Sequence, residues 1–127
     1  MSWYYSDWYS LSPSFSNGNA SSMPATATAT TDIDVSAIGA RSIELAWGYT
    51  NGGSTPTAPV SVTVARDVDG INYETIPAWS FSETDAANVT IRAKRVITGV
   101  DRCRVVLTNN TGQAITNVWI RYRVVRG

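Results

Sequence analysis

From Asp32 onward, apolar and polar positions alternate with a period of two, which predicts strands with one buried face. Ile43, Leu45, Trp47 and Tyr49 alternate with Ser42, Glu44, Ala46 and Gly48, until Asn51-Gly52-Gly53-Ser54-Thr55-Pro56 breaks the run. Val60, Val62 and Val64 alternate with Ser61, Thr63 and Ala65. Asp69-Gly70 follows, the strongest short-range hairpin signal in the chain, because both residues tolerate positive φ. The return strand is expected over 71–76, ending at Pro77. Val89, Ile91 and Ala93 open another strand that runs to about Ile97. Thr98-Gly99 then turns into Cys103, Val105 and Leu107, and Asn109-Asn110-Thr111-Gly112 turns into Val118, Ile120, Tyr122 and Val124. No stretch carries a 3.6-residue period with caps, although 82–87 has room for one helical turn. The prediction is an all-β fold, an antiparallel β-sandwich of jelly-roll type.

Ahead of residue 32 the pattern is different. Residues 10–31 are Ser, Thr, Ala, Asn, Gly and Pro, interrupted only by Leu11, Phe15 and Met23, with no charge between Asp7 and Asp32. Such a composition cannot close a core by itself and reads as an extended arm. Fully stretched it would reach about 70 Å, at roughly 3.3 Å per residue. Thr26-Ala27-Thr28-Ala29-Thr30 alternates at strand period and is able to add to a sheet edge. Before it, Trp3, Tyr4, Tyr5, Trp8 and Tyr9 crowd into nine residues. The expected organisation is therefore an aromatic and Ser/Thr/Ala-rich arm over 1–31 and a sandwich domain over 32–127.

With 127 residues, 43% of them hydrophobic, the chain has room for one domain with a real core. It contains no histidine, which removes Ser–His–Asp and Cys–His catalysis and most zinc or iron sites. Its single cysteine, Cys103, excludes an internal disulfide and lies in phase with Val105 and Leu107, as a core residue would. No enzyme, cofactor or metal site is expected. No apolar run approaches the roughly 18 residues of a membrane span, and the opening decapeptide lacks the basic and apolar regions of a secretory leader.

Ten basic and ten acidic residues cancel, but unevenly along the chain. Residues 1–90 carry nine acids against Arg41 and Arg66; residues 91–127 carry eight bases against Asp101. Either acidic and basic strands neutralise one another across a sheet, or opposite ends of neighbouring copies meet head to tail.

Several constellations suggest chemistry and then lose it. Asp67-Val68-Asp69-Gly70-Ile71-Asn72 resembles a calcium loop, but Ala78 stands where a bidentate Glu is needed, so a turn is expected. Glu44, Glu74 and Glu83 offer no evident acid/base pair. The sequons at Asn19, Asn88 and Asn109 read as turn and strand residues. Arg121 and Arg123 share a face with Trp119, with Arg92, Lys94, Arg95, Arg102 and Arg104 on preceding strands. That is the outline of a single-strand nucleic-acid binder, yet only one aromatic interleaves the charges, so no nucleic-acid partner is expected.

The residues with the most specific pattern are the leading aromatics, large apolar groups with polar tips that suit interface anchors. Asp34-Val35-Ser36, then Val62-Thr63-Val64 leading to Asp69-Gly70-Ile71-Asn72-Tyr73, then Cys103-Arg104-Val105-Val106-Leu107-Thr108-Asn109-Asn110-Thr111-Gly112-Gln113, resemble small β-sandwich modules of tailed-bacteriophage virions. The resemblance covers about residues 32–125. It implies a homo-oligomeric structural protein without a cofactor, at the capsid surface as a decoration or cement protein. Its partners would be the major capsid protein or other virion proteins, with no membrane involved. Trp3, Tyr4, Tyr5, Trp8 and Tyr9 would be its anchor, with Trp119, Arg121 and Arg123 as further contacts. The alternatives are a tail or head fibre subunit, and a carbohydrate- or receptor-binding module in which Trp79 or Trp119 stacks on sugar rings.

Overall fold

The computed structural model describes residues 4–38 and 42–126. Ten strands follow in order: β1 Tyr4–Tyr5, β2 Tyr9–Leu11, β3 Ser14–Phe15, β4 Thr28–Asp34, β5 Ser42–Thr50, β6 Ser61–Arg66, β7 Trp79–Ser82, β8 Thr90–Thr98, β9 Arg102–Thr108 and β10 Thr116–Arg126. Sheet A runs β1-β10-β5-β8, with β2 pairing the same edge of β10 as β1; sheet B runs β3-β4-β9-β6-β7. Every pairing is antiparallel. Counting β1 and β2 as one interrupted strand, the chain crosses between sheets at each step except from β3 to β4 and at the β6–β7 hairpin. That is the jelly-roll connection.

The odd residues of β5, β8 and β9 and the even ones of β6 and of β10 beyond Asn117 face inward. They enclose Ile43, Leu45, Trp47, Tyr49, Val62, Val64, Ile97, Cys103, Val105, Leu107 and Ile120, all at most 2% exposed. Burial pushes the Cys103 thiol up to about 12, so the residue packs as a small hydrophobe. Trp79 and Phe81 also turn inward against this core. Trp79 is thus no outward sugar platform, because its place opposite Val64 puts it on the buried face of β7. At the gap between the edges of β7 and β8, Arg95 stacks on Trp47 and Phe81, 5.8 and 5.6 Å from their centroids, and pairs with Glu83.

Residues 4–31 do not stand away from the body as an extended arm. β1 and β2 form the first strand of the jelly roll, and β3 adds to β4. Ser6 bridges the break between β1 and β2: its amide donates to the Val124 carbonyl at 3.0 Å, and its Oγ accepts from the Val124 amide at 2.8 Å. Met23, fully buried, exchanges backbone hydrogen bonds with Ile115 at 3.0 and 2.9 Å. The fully buried Asn109 fastens the segment. Its Nδ2 donates to the carbonyls of Met23, Pro24 and Gln113 at 3.1, 3.1 and 2.7 Å, and its Oδ1 accepts from Thr111. Sheet addition uses backbone groups, which Ser, Thr and Ala supply as well as any residue.

Two local expectations are corrected. Residues 71–76 form a loop with a single bridge from Tyr73 to Asp67, and the return strand is β7. Asp67 and Asp69 spend their carboxylates on the backbone amides of Gly70, Ile71 and Asn72, and this stabilises a broad turn instead of a tight hairpin. No helical turn forms over 82–87, where Asp85 accepts hydrogen bonds from Tyr49 Oη and Asn51 Nδ2.

Candidate functional site

The two outer faces of the sandwich differ in charge and in aromatic content, and register sets both. In β10 a β-bulge between Thr116 and Trp119, with Asn117 at φ 52°, inserts one residue against β5. Beyond it Val118, Ile120 and Val124 point inward, and Trp119, Arg121 and Arg123 point outward. The outer face of sheet A is then built in transverse rows: Arg92, Gly48 and Trp119; Lys94, Ala46, Arg121 and Ser10; Val96, Glu44 and Arg123.

Small residues on the central strand make room for large ones beside them. Trp119 lies over Gly48, where even a Cβ would come within 2.7 Å of its Cζ2. Arg121 stacks on the indole at 4.6 Å, and its Nε donates to Ser10 Oγ at 3.2 Å. Trp8 faces them from ahead of β2. Together Trp8, Ser10, Ala46, Trp119 and Arg121 line a recess of about 340 Å³.

Beside the recess, Arg123 sits between the rings of Tyr5 and Trp8, 4.5 and 4.7 Å from their centroids. It reaches Glu44 at 3.1 Å, and Lys94 reaches the same carboxylate at 3.2 Å. Glu44 is only 5% exposed although it stands on the outer face, because its own cations and the aromatic pair cover it. Buried charge is tolerable there because both carboxylate oxygens accept from Arg123.

Five of the residues singled out from the sequence, Tyr5, Trp8, Trp119, Arg121 and Arg123, are thus gathered on one face. Tyr9 is not among them. It points to the other side of the sheet and stacks on Tyr122 at 5.1 Å. Trp3 and the side chain of Tyr4 lie outside the described residues. Sequence reasoning missed Ser10, Glu44, Ala46, Gly48 and Lys94 as members of the site. The available signal was the pair Ala46 and Gly48 at outward positions of a strand, since small residues there leave space for neighbours.

The outer face of sheet B makes a contrast. Its recess of about 390 Å³ is lined by Thr63, Ala65, Tyr73, Glu74, Arg104 and Val106, among others. Its polar groups are already spent on one another. Arg104 grips Asp32 through Nε and Nη2 at 2.8 and 3.1 Å and holds that carboxyl below its usual range. Arg66 grips Glu74 in the same way, pulling its carboxyl down to about 2. Tyr73, the one aromatic there, is capped by Arg102 and Arg104 at 4.9 and 4.4 Å. Of the sequence's three glutamates, Glu44 is on sheet A, Glu74 on the β6–β7 loop and Glu83 after β7, so they do not converge on one site. The six ion pairs among the described residues also explain the uneven charge. All but Arg66–Glu74 join an acid before residue 91 to a base after it, within a sheet or across adjacent elements.

No family model and no curated protein matches the chain. Among solved structures it is similar to a family 35 carbohydrate-binding module from Clostridium thermocellum, at 14% identity and a TM-score of 0.45, covering 94% of this chain and 90% of that one. It is similar to a CBM4 structure at 10% identity and a TM-score of 0.46, covering 91% and 81%. It is also similar to the Arthrobacter globiformis T6 isomalto-dextranase complexed with panose, at 19% identity and a TM-score of 0.43, covering 76% of this chain but only 16% of that one. The chain is an all-β, two-sheet antiparallel sandwich by its own strand pairing, and at these values the three likenesses carry no argument about it.

Proposed function

We propose that the chain is a non-catalytic carbohydrate-binding module that takes its ligand on the outer face of sheet A. The observation that carries this reading is the recess between Trp8 and Trp119. A pyranose ring has a flat face of C–H groups and a rim of hydroxyls. It is suited by aromatic walls on a small-residue floor with a few polar tips around them. Trp8, Trp119 and Ala46 supply the walls and floor, while Ser10 and Arg121 supply the tips. The indole of Trp119 rests on the sheet over Gly48, so it is held in place before any ligand arrives.

Affinity electrophoresis through gels holding a panel of neutral and charged polysaccharides tests the reading. The wild-type chain is expected to be retarded by at least one of them, and Trp8→Ala and Trp119→Ala to run unretarded while keeping their fold by circular dichroism. Free migration of the wild type through every gel, or undiminished retardation of both variants, would overturn it.

A second reading, as a homo-oligomeric virion protein in a capsid or fibre, is favoured by one observation. Val68, Ile71 and Ile76 on the β6–β7 loop are 59, 79 and 82% exposed, an apolar tip suited to protein contact. Because β1 and β2 are part of the sheet, the contact would run through this tip or the sheet A face and not through a free arm. Sedimentation velocity across a concentration series, with Ile71→Ser and Ile76→Ser as controls, separates an assembling chain from a monomer.

A further inference from the structure

We infer that the ligand of the sheet A face is an anionic polysaccharide, bearing carboxylate or sulfate groups; this rests on the carbohydrate-binding reading and narrows it. The strands of that face point Arg92, Lys94, Arg121 and Arg123 outward against one carboxylate, Glu44. The outward positions of sheet B are balanced, with Arg102 and Arg104 against Asp32 and Asp34. The excess of cations is therefore confined to the face that carries the aromatic recess.

The surplus is also presented in a usable form. Glu44 is occupied by Arg123 and Lys94. Arg121 and Arg92 have no carboxylate partner among the described residues. Stacking on Trp119 holds the Arg121 guanidinium in place, and Ser10 takes only its Nε. Its terminal nitrogens remain as a planar fork at the rim of the recess, the geometry that grips a carboxylate or sulfate in two places. Arg92 stands across β5 in the Trp119 row, about 10 Å away at two strand spacings of roughly 4.8 Å. An anionic chain lying across the strands would meet Arg121 at the recess and Arg92 beyond it.

The test is isothermal titration of the full chain with a polygalacturonate hexamer, its full methyl ester, dextran sulfate, neutral dextran and an oligothymidylate. The expected result is binding of the hexamer or dextran sulfate at least about tenfold tighter than the methyl ester and dextran. That preference should shrink as salt rises and be lost in the Arg92→Gln/Arg121→Gln double variant. The two charged glycans distinguish carboxylate from sulfate as the anion. Glycan binding with no preference for the acid over its ester and none for dextran sulfate over dextran overturns the inference and leaves the carbohydrate-binding reading standing. Binding of none of the four glycans overturns the inference, and the carbohydrate-binding reading falls with it when the chain also migrates freely through every gel. Tighter binding of the oligothymidylate than of either charged glycan overturns the inference in favour of a nucleic-acid face.

Discussion

Trp119 occupies the space that a side chain at residue 48 would need, so the indole and Gly48 are a matched pair across β10 and β5. Gly48 sits in extended backbone within β5, and its requirement is steric. Gly48→Ala is expected to leave the sandwich folded, lift the ring off the sheet and weaken glycan binding by about tenfold, or about 1.4 kcal/mol. Titration calorimetry beside a thermal melt checks this. An unchanged affinity would show that the seat of Trp119 does not matter.

Removing residues 1–31 is expected to abolish folding. The deletion strips the first strand from β10, takes half of β4, and opens the core at Met23, Ala27 and Ala29, all at most 7% exposed. Amide dispersion in a two-dimensional NMR spectrum reads the outcome. A well-dispersed spectrum from residues 32–127 would restore the picture of a separable arm.

Asn109 makes three donations and accepts two hydrogen bonds in a fully buried position. Asn109→Ala removes these bonds and leaves the buried Thr111 amide without its acceptor, and should cost about 3 kcal/mol in a denaturant titration. Asn110→Ala, an exposed neighbour whose bonds go to the Pro59 carbonyl and Ser61 Oγ, should cost under about 1 kcal/mol.

The Arg66–Glu74 pair gives a signature in acid. Arg66 and its backbone amide hold the Glu74 carboxyl at about 2, below its ordinary 4.5. A depressed folded-state value means that the contribution is fully present above about pH 4.5 and is lost as pH falls towards about 2. The stability gap between wild type and Glu74→Gln should therefore close across that window in denaturant titrations at stepped pH. A gap that stays constant would mean that the pair adds nothing.

Strands β5, β6, β8, β9 and β10 were legible because each sets large apolar residues against polar ones, as Ile43, Leu45, Trp47 and Tyr49 do against Ser42, Glu44 and Ala46, whereas the strand expected over 71–76 proved to be β7, Trp79–Ser82. The first strand was illegible for a physical reason. Tyr9, Leu11, Phe15 and Met23 are too sparse for a periodic signal, and the pairing of β1–β3 is made by backbone groups, which every residue carries. The site was half legible. Trp119, Arg121 and Arg123 share a face by period alone. That Tyr5 and Trp8 join them depends on the pairing of Tyr5 with Val125 and of Ser10 with Arg121, a long-range register no local pattern encodes. Glu44 read as an ordinary polar position for the same reason, since the cations that bury it come from β8 and β10.

The location of the ligand is most directly tested by an NMR titration with whichever of the polygalacturonate hexamer and its methyl ester binds, following the indole Nε1–H signals of Trp8 and Trp119 and the amide of Gly48. The account predicts that these three move together and saturate with the binding isotherm. Shifts confined to Thr63, Tyr73 and Val106 on the opposite sheet would contradict it.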